Sequence, residues 1–162
     1  MTAGRTVEVL LVDDSPSDVE LTIHVLRHNK LANSIHVAED GKEALDFIFC
    51  RGQFSERSIT DRPRVILLDL KLPKVNGLEV LKAIRANEQT KAIPVVILTS
   101  SKEQRDLIEG YRFGTSAFIQ KPVDFEQFQR AIKEIGLFWL VVNEPPPADA
   151  FANAVRPANS EG

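Results

Sequence analysis

Cysteine is almost missing from this chain. A single Cys50 among 162 residues cannot close an internal disulfide. That points to a reducing compartment and leaves the cytoplasm as the expected location. Excess positive charge is missing too: 20 Lys and Arg stand against 23 Asp and Glu, net −3, without the basic footprint of a nucleic-acid binder. No apolar run approaches the roughly 18 residues that would cross a membrane. Met1 to Val12 carries one arginine and runs through a short apolar stretch into Asp13-Asp14, unlike a secretory signal. There is no internal repeat beyond an alternation of strand-like and helix-like segments.

That alternation is what the chain has in abundance. Short apolar runs at Val7–Val12, Ser34–Ala38, Val65–Leu68, Val95–Leu98 and about Ser116–Gln120 are separated by segments of helical spacing, the pattern of parallel strands buried on both faces. Ser15-Pro16-Ser17-Asp18 reads as a helix start, with a capping serine, proline at the first position and an acid at the third. Asp40 with Glu43, Ser101 with Gln104 and Asp124 with Gln127 suit three further starts, and Gly114 suits a left-handed stop. The polar stretch from Cys50 to Arg64 is expected to be an exposed loop. The arrangement predicts one α/β domain over residues 1–142 and a Pro/Ala-rich, disordered tail over 143–162.

The ends of the apolar runs carry the chemistry. Asp13-Asp14 follows the first, Asp69 the third, Thr99-Ser100 the fourth and Lys121-Pro122 the fifth. In an open parallel sheet ligands bind beyond the carboxyl ends of the strands, so three carboxylates, a hydroxyl and an ammonium converge on one rim. Magnesium takes hard oxygen ligands and commonly uses one or two carboxylates beside phosphate oxygens. Asp13, Asp14 and Asp69 supply that charge, Lys121 can pair with Asp69 and then with phosphoryl oxygens, and Thr99 can donate to another. Phosphoryl transfer needs mainly positioning and charge stabilisation. Singly, each residue has a plainer explanation: loop or cap acids, a strand-end hydroxyl, a turn. Their ordered occurrence at successive strand ends sets them apart.

These residues resemble the receiver domain of bacterial two-component response regulators, over about residues 5–142: Asp13-Asp14, Asp69-x-x-x-Pro73-x-x-x-Gly77, Thr99-Ser100 and Lys121-Pro122. The resemblance implies a flavodoxin-like, doubly wound, five-stranded parallel sheet of order 2-1-3-4-5 with five helices. It implies that Asp69 is the phosphoacceptor, charged by a sensor histidine kinase. Asp14, Asp69 and the backbone carbonyl of Lys71 would bind Mg2+ directly, Asp13 mainly through water. Thr99 and Lys121 would hold the phosphoryl group, the Lys121–Pro122 bond would be cis, and Thr99 with Phe118 would form the switch pair. Phe118 lacks a tyrosine hydroxyl, which leaves only packing to carry such a switch, and plain strand packing is an equal alternative.

Three segments are more narrowly similar to regulators that serve phytochrome-type light-sensing kinases: Asp69-Leu-Lys-Leu-Pro-Lys, Lys121-Pro-Val-Asp-Phe and the ending that starts Gly136-Leu-Phe-Trp-Leu. Those regulators are implied to pair through the face of the fourth helix, fifth strand and last helix. Phe125, Phe128, Ile132, Ile135, Trp139 and Val142 form a docking stripe, yet Leu137, Phe138, Leu140 and Val141 are apolar as well. A helix end apolar all round asks for cover, so Phe138, Trp139, Leu140 and Val142 are the expected homodimer interface; folding back onto the same domain is the other possibility. His24, His28 and His36 read as scattered, without ligand spacing. Three functions compete. A phosphoryl-accepting switch acting through protein contacts leads, because residues 143–162 are too few for an output module. An aspartyl-phosphate phosphatase would be expected to carry a second acid where Lys71 stands. A phosphorylation-independent scaffold would have no need of the rim chemistry.

Overall fold

The computed structural model describes residues 7–29, 31, 34–100 and 116–134. Five strands, β1 (Val9–Val12), β2 (Ile35–Ala38), β3 (Val65–Asp69), β4 (Val95–Thr99) and β5 (Ser116–Gln120), form one sheet of order β2-β1-β3-β4-β5. All four pairings are parallel, with Val9 beside both Ile35 and Val65, and Ile97 beside Phe118. This is the flavodoxin-like arrangement and strand order expected. The described helices are α1 (Pro16–His28), α2 (Gly41–Ile48), α3 (Gly77–Ala86) and α4 (Phe125–Glu134). The helix expected between β4 and β5, with its Ser101–Gln104 start and Gly114 stop, lies outside the described residues, as do the tail and Phe138, Trp139, Leu140 and Val142.

Residues alternate along each strand between two cores. Leu11, Leu67, Leu98 and Ile119 face α1 and α4, packing with Leu26, Phe128 and Ile132. Leu10, Ile66, Leu68 and Ile97 face α2 and α3, packing with Phe47, Leu81 and Ile84. Every residue of β1, β3 and β4 is buried, whereas the first three of β2 are half-buried, because β2 is an edge. Fully burying such aliphatic side chains is worth roughly 1.5–3 kcal/mol each, so the three inner strands anchor the fold.

The helix starts follow local chemistry. Ser15 Oγ accepts from Asp18 N at 3.4 Å, and Asp40 Oδ1 from Glu43 N at 2.7 Å. Asp124 Oδ1 accepts from Gln127 N at 2.8 Å. Asn76 caps α3 in the same way, accepting from Glu79 N at 3.0 Å. Two glycines permit close approach of the loop after β3. A Cβ on Gly77 would lie 2.2 Å from the Asp69 carbonyl oxygen, and one on Gly41 would lie 1.7 Å from that of Val75.

The 50–64 stretch is more anchored than its polarity suggests. After a 3₁₀ turn at Gly52–Phe54, the Arg57 guanidinium lies 3.7 Å from the centre of the Phe47 ring. It donates to the backbone oxygens of Phe47 and Asp61. On Phe47 stacks His36, with ring centres 4.3 Å apart, and Phe54 meets both rings edge-on. Cation–π and aromatic contacts, each worth about 0.5–1.5 kcal/mol beyond burial, hold the loop to β2 and α2.

Candidate functional site

Each predicted rim residue sits where its strand ends. Asp13 follows β1 and is fully buried; Asp69 closes β3 and is 6% exposed; Thr99 closes β4 at 2%. Asp14 is exposed, and Asp13, Asp14 and Asp69 each bring a carboxylate oxygen within 4.8 Å of the others. Among the described residues this is the one group of three or more acids, histidines or cysteines gathered tightly enough for a metal. The Lys121 amide donates to the Thr99 carbonyl at 2.7 Å, which sets these two rim residues side by side. The Lys121–Pro122 bond is cis. Lys71 donates its amide to Asp69 Oδ1 at 3.1 Å and points its side chain to solvent. Phe118 is half-buried against the α2/α3 core.

Lys121 Nζ holds the acids together. It donates to Asp69 Oδ2 at 2.9 Å and to Asp18 Oδ2 at 3.0 Å. It also lies 3.0 Å from Asp13 Oδ2, but without the geometry of a hydrogen bond. Burial by itself would lower the lysine pKa, yet the hydrogen bonds it donates to the surrounding carboxylates hold it above the ordinary value. Asp13 moves the other way for a carboxylate: desolvation raises it, outweighing the help of Ser15 N–H and Lys121. Asp13 Oδ1 accepts from Ser15 N at 3.0 Å, while Oδ2 is buried with no hydrogen bond.

That desolvated oxygen, compensated only in part by the Lys121 ammonium and beside two further carboxylates, fits a hard divalent cation. The donor set is all oxygen, which suits Mg2+ or Mn2+ rather than a soft metal.

Two features escaped the sequence reading. Asp18 reads there as a helix-start acid only; its ion pair with Lys121 joins residues 103 positions apart. The hint was its place one turn into a helix springing from the rim. The histidines are also less scattered than they read: His24 and His28 stand one turn apart on the exposed face of α1 with stacked rings 5.1 Å between centres, while His36 is packed on Phe47.

With a doubly wound parallel sheet and an acid-lysine rim established, the protein class follows. A sequence model of the response regulator receiver domain matches residues 9–133, and the chain belongs to that family, the phosphoacceptor domains of two-component signalling. Its relatives are more particular. The bacteriophytochrome response regulator RtBRR is 48% identical, with a TM-score of 0.79 over 94% of this chain and 90% of that one. The bacteriophytochrome response regulator AtBRR is 47% identical, with a TM-score of 0.77 over 83% of this chain and 96% of that one. The response regulator Rcp1 of Synechocystis sp. is 34% identical over 140 residues, 86% of this chain and 93% of its own. A crystal structure of Rcp1 is of its Mn2+-bound form. Among the described residues no helix is long and apolar enough to cross a membrane.

Proposed function

We propose that this protein accepts a phosphoryl group on Asp69 from a phytochrome-type sensor histidine kinase and signals through protein contacts. The observation that carries the assignment to Asp69 is the convergence on it of the Lys121 ammonium and the Lys71 amide, one at each carboxylate oxygen. In transfer from phosphohistidine, an Asp69 oxygen bonds to phosphorus as the P–N bond breaks, and the imidazole recovers its electron pair. Asp13, Asp14, Asp69 and the Lys71 carbonyl would hold Mg2+, which when bound supplies charge neutralisation to the incoming phosphoryl oxygens. Lys121 and Thr99 bind the other oxygens, and the buried strand ends keep these groups fixed, so little reorganisation is needed.

Thr99 and Phe118 are proposed to relay the change by repacking. The domain is proposed to run to residue 142, with 143–162 as a disordered tail. Output is proposed to leave by self-association of the apolar end of the last helix through Phe138, Trp139, Leu140 and Val142, in the cytoplasm and without nucleic acid or membrane. The relatives named for bacteriophytochromes support the kinase class. Lys71, standing two residues after Asp69, speaks against a phosphatase, and the complete rim speaks against a bare scaffold.

The test is incubation with acetyl phosphate and MgCl2 followed by a phosphate-affinity gel. A shifted band is expected for the parent and none for Asp69→Asn; no shift in the parent sinks the reading. In sedimentation, Phe138→Asp/Trp139→Asp should be lighter than the parent. Equal masses would remove the dimer proposal.

A further inference from the structure

Lys121 serves one acid more than the rim chemistry requires. Asp13, Asp14 and Asp69 cluster where a cation would gather them, but Asp18 stands outside that group. It projects from the first turn of α1, about a third exposed, and its carboxylate meets Lys121 Nζ at 3.0 Å. The ammonium has three N–H donors, of which two are spent on Asp18 and Asp69. Asp13 Oδ2 crowds the same nitrogen from 3.0 Å. A phosphoryl group on Asp69 carries about −1.5 to −2 in place of the carboxylate's single charge, and presents three acceptor oxygens. The one remaining donor cannot serve three oxygens, so a Lys121 that turns to them gives up part of its hold on Asp18. A divalent cation would compensate the three clustered acids, but not Asp18.

We propose that Asp18 is a positioning residue that competes with the incoming phosphoryl group for Lys121, so that charging of Asp69 releases the first turn of α1. This rests on Asp69 being the phosphoacceptor. In the uncharged protein Asp18 braces Lys121 and ties α1 to the end of β5. In the charged protein that tie gives way, and the Asp18 carboxylate faces added negative charge. Asp18 therefore does two things at once: it restrains charging, and it makes the start of α1 sense the state of Asp69.

The experiment compares the parent, Asp18→Asn and Asp69→Asn in initial rate of labelling by acetyl phosphate at saturating MgCl2. Matching circular dichroism melts serve as a check of folding. Asp18→Asn keeps shape and loses charge. It should charge faster than the parent by roughly three- to tenfold at low salt, and the advantage should shrink in about 0.5 M salt as the charges are screened. An equal or slower rate, or a gain indifferent to salt, overturns the proposal. A parent that takes no label overturns the Asp69 assignment beneath it, a separate and recognisable failure. Amide hydrogen exchange adds a second arm. With beryllofluoride as phosphoryl mimic, the amides of Asp18 and Val19 should exchange faster in the parent and not change in Asp18→Asn. No acceleration in the parent removes the release half of the proposal.

Discussion

Two buried side-chain atoms among the described residues lack a hydrogen bond, Asp13 Oδ2 on the rim and His36 Nε2 beside β2, and they teach different things. His36 stacks on Phe47 and meets Phe54 edge-on, with Glu43 Oε2 at 3.4 Å. Desolvation lowers its pKa, aided by the Arg57 charge and opposed by Glu43, so the ring can shed its charge and sit in the cluster as a flat, neutral body. Asp13 has a poorer escape. Its neighbours include an ammonium that favours the ion, while burial penalises it. One defect is absorbed by packing; the other can be relieved by a cation. A charged cluster whose needs its own residues leave unmet marks a site better than burial alone does.

The comparison can be broken at its strongest points first. Phe47→Ala removes the plate between His36 and Arg57 and should cost about 3–5 kcal/mol in urea unfolding, while the folded fraction still labels on Asp69. Loss of labelling in the folded fraction would join the two regions. Lys121→Met leaves Asp13, Asp18 and Asp69 without their shared cation. It should cost on the order of 2–3 kcal/mol and abolish labelling, with MgCl2 restoring part of the stability. Magnesium itself should stabilise the parent by roughly 1.4–2.7 kcal/mol at 10 to 100 times its dissociation constant, and should do little for Asp69→Asn. Equal gains in both proteins would detach the ion from the rim.

Smaller effects sharpen the contrast through pH and charge. Asp13→Asn should raise stability without metal by about 1 kcal/mol at neutral pH, because the raised pKa marks an ion the fold tolerates poorly. The sign follows from linkage: the folded state keeps the Asp13 proton better than the unfolded chain. That contribution is therefore full in acid and is lost as pH rises through the folded value. His36 has the opposite sign. Its lowered pKa means the unfolded chain takes the proton first, so stability should fall as pH drops below about 6.5. After solvent screening the loss should stay under about 1 kcal/mol, and it should vanish in His36→Gln. A fall that persists in that variant would acquit His36.

The five strands and the strand-end residues were legible because parallel strands write themselves as continuous apolar runs and rim chemistry follows directly after them. The order of the sheet came only through the resemblance to receiver domains. β5 over Ser116–Gln120 was legible to the residue, whereas β1 and β2 begin slightly later than their runs. Arg57 on Phe47, Asp18 on Lys121 and Gly41 against Val75 were not legible. Each joins residues that periodicity treats as unrelated: a loop arginine to a helix face, a cap acid to a strand end 103 positions away. Residues 50–64 are mostly exposed or half-buried, as their polar composition suggests, but Arg57 and Phe54 fasten them to α2, Arg62 to the Gln89 carbonyl and Arg64 to Glu8.

The bare backbone at Gly77 has a mechanical consequence. Because nothing softer than main chain separates α3 from the Asp69 carbonyl, and Gly41 meets Val75 as directly, the segment after β3 meshes with two helices like a toothed rack. A shift of a fraction of an ångström at the Asp69 backbone has no side chain to be absorbed in. It must be passed on to α2 and α3, on the face of the sheet opposite α1.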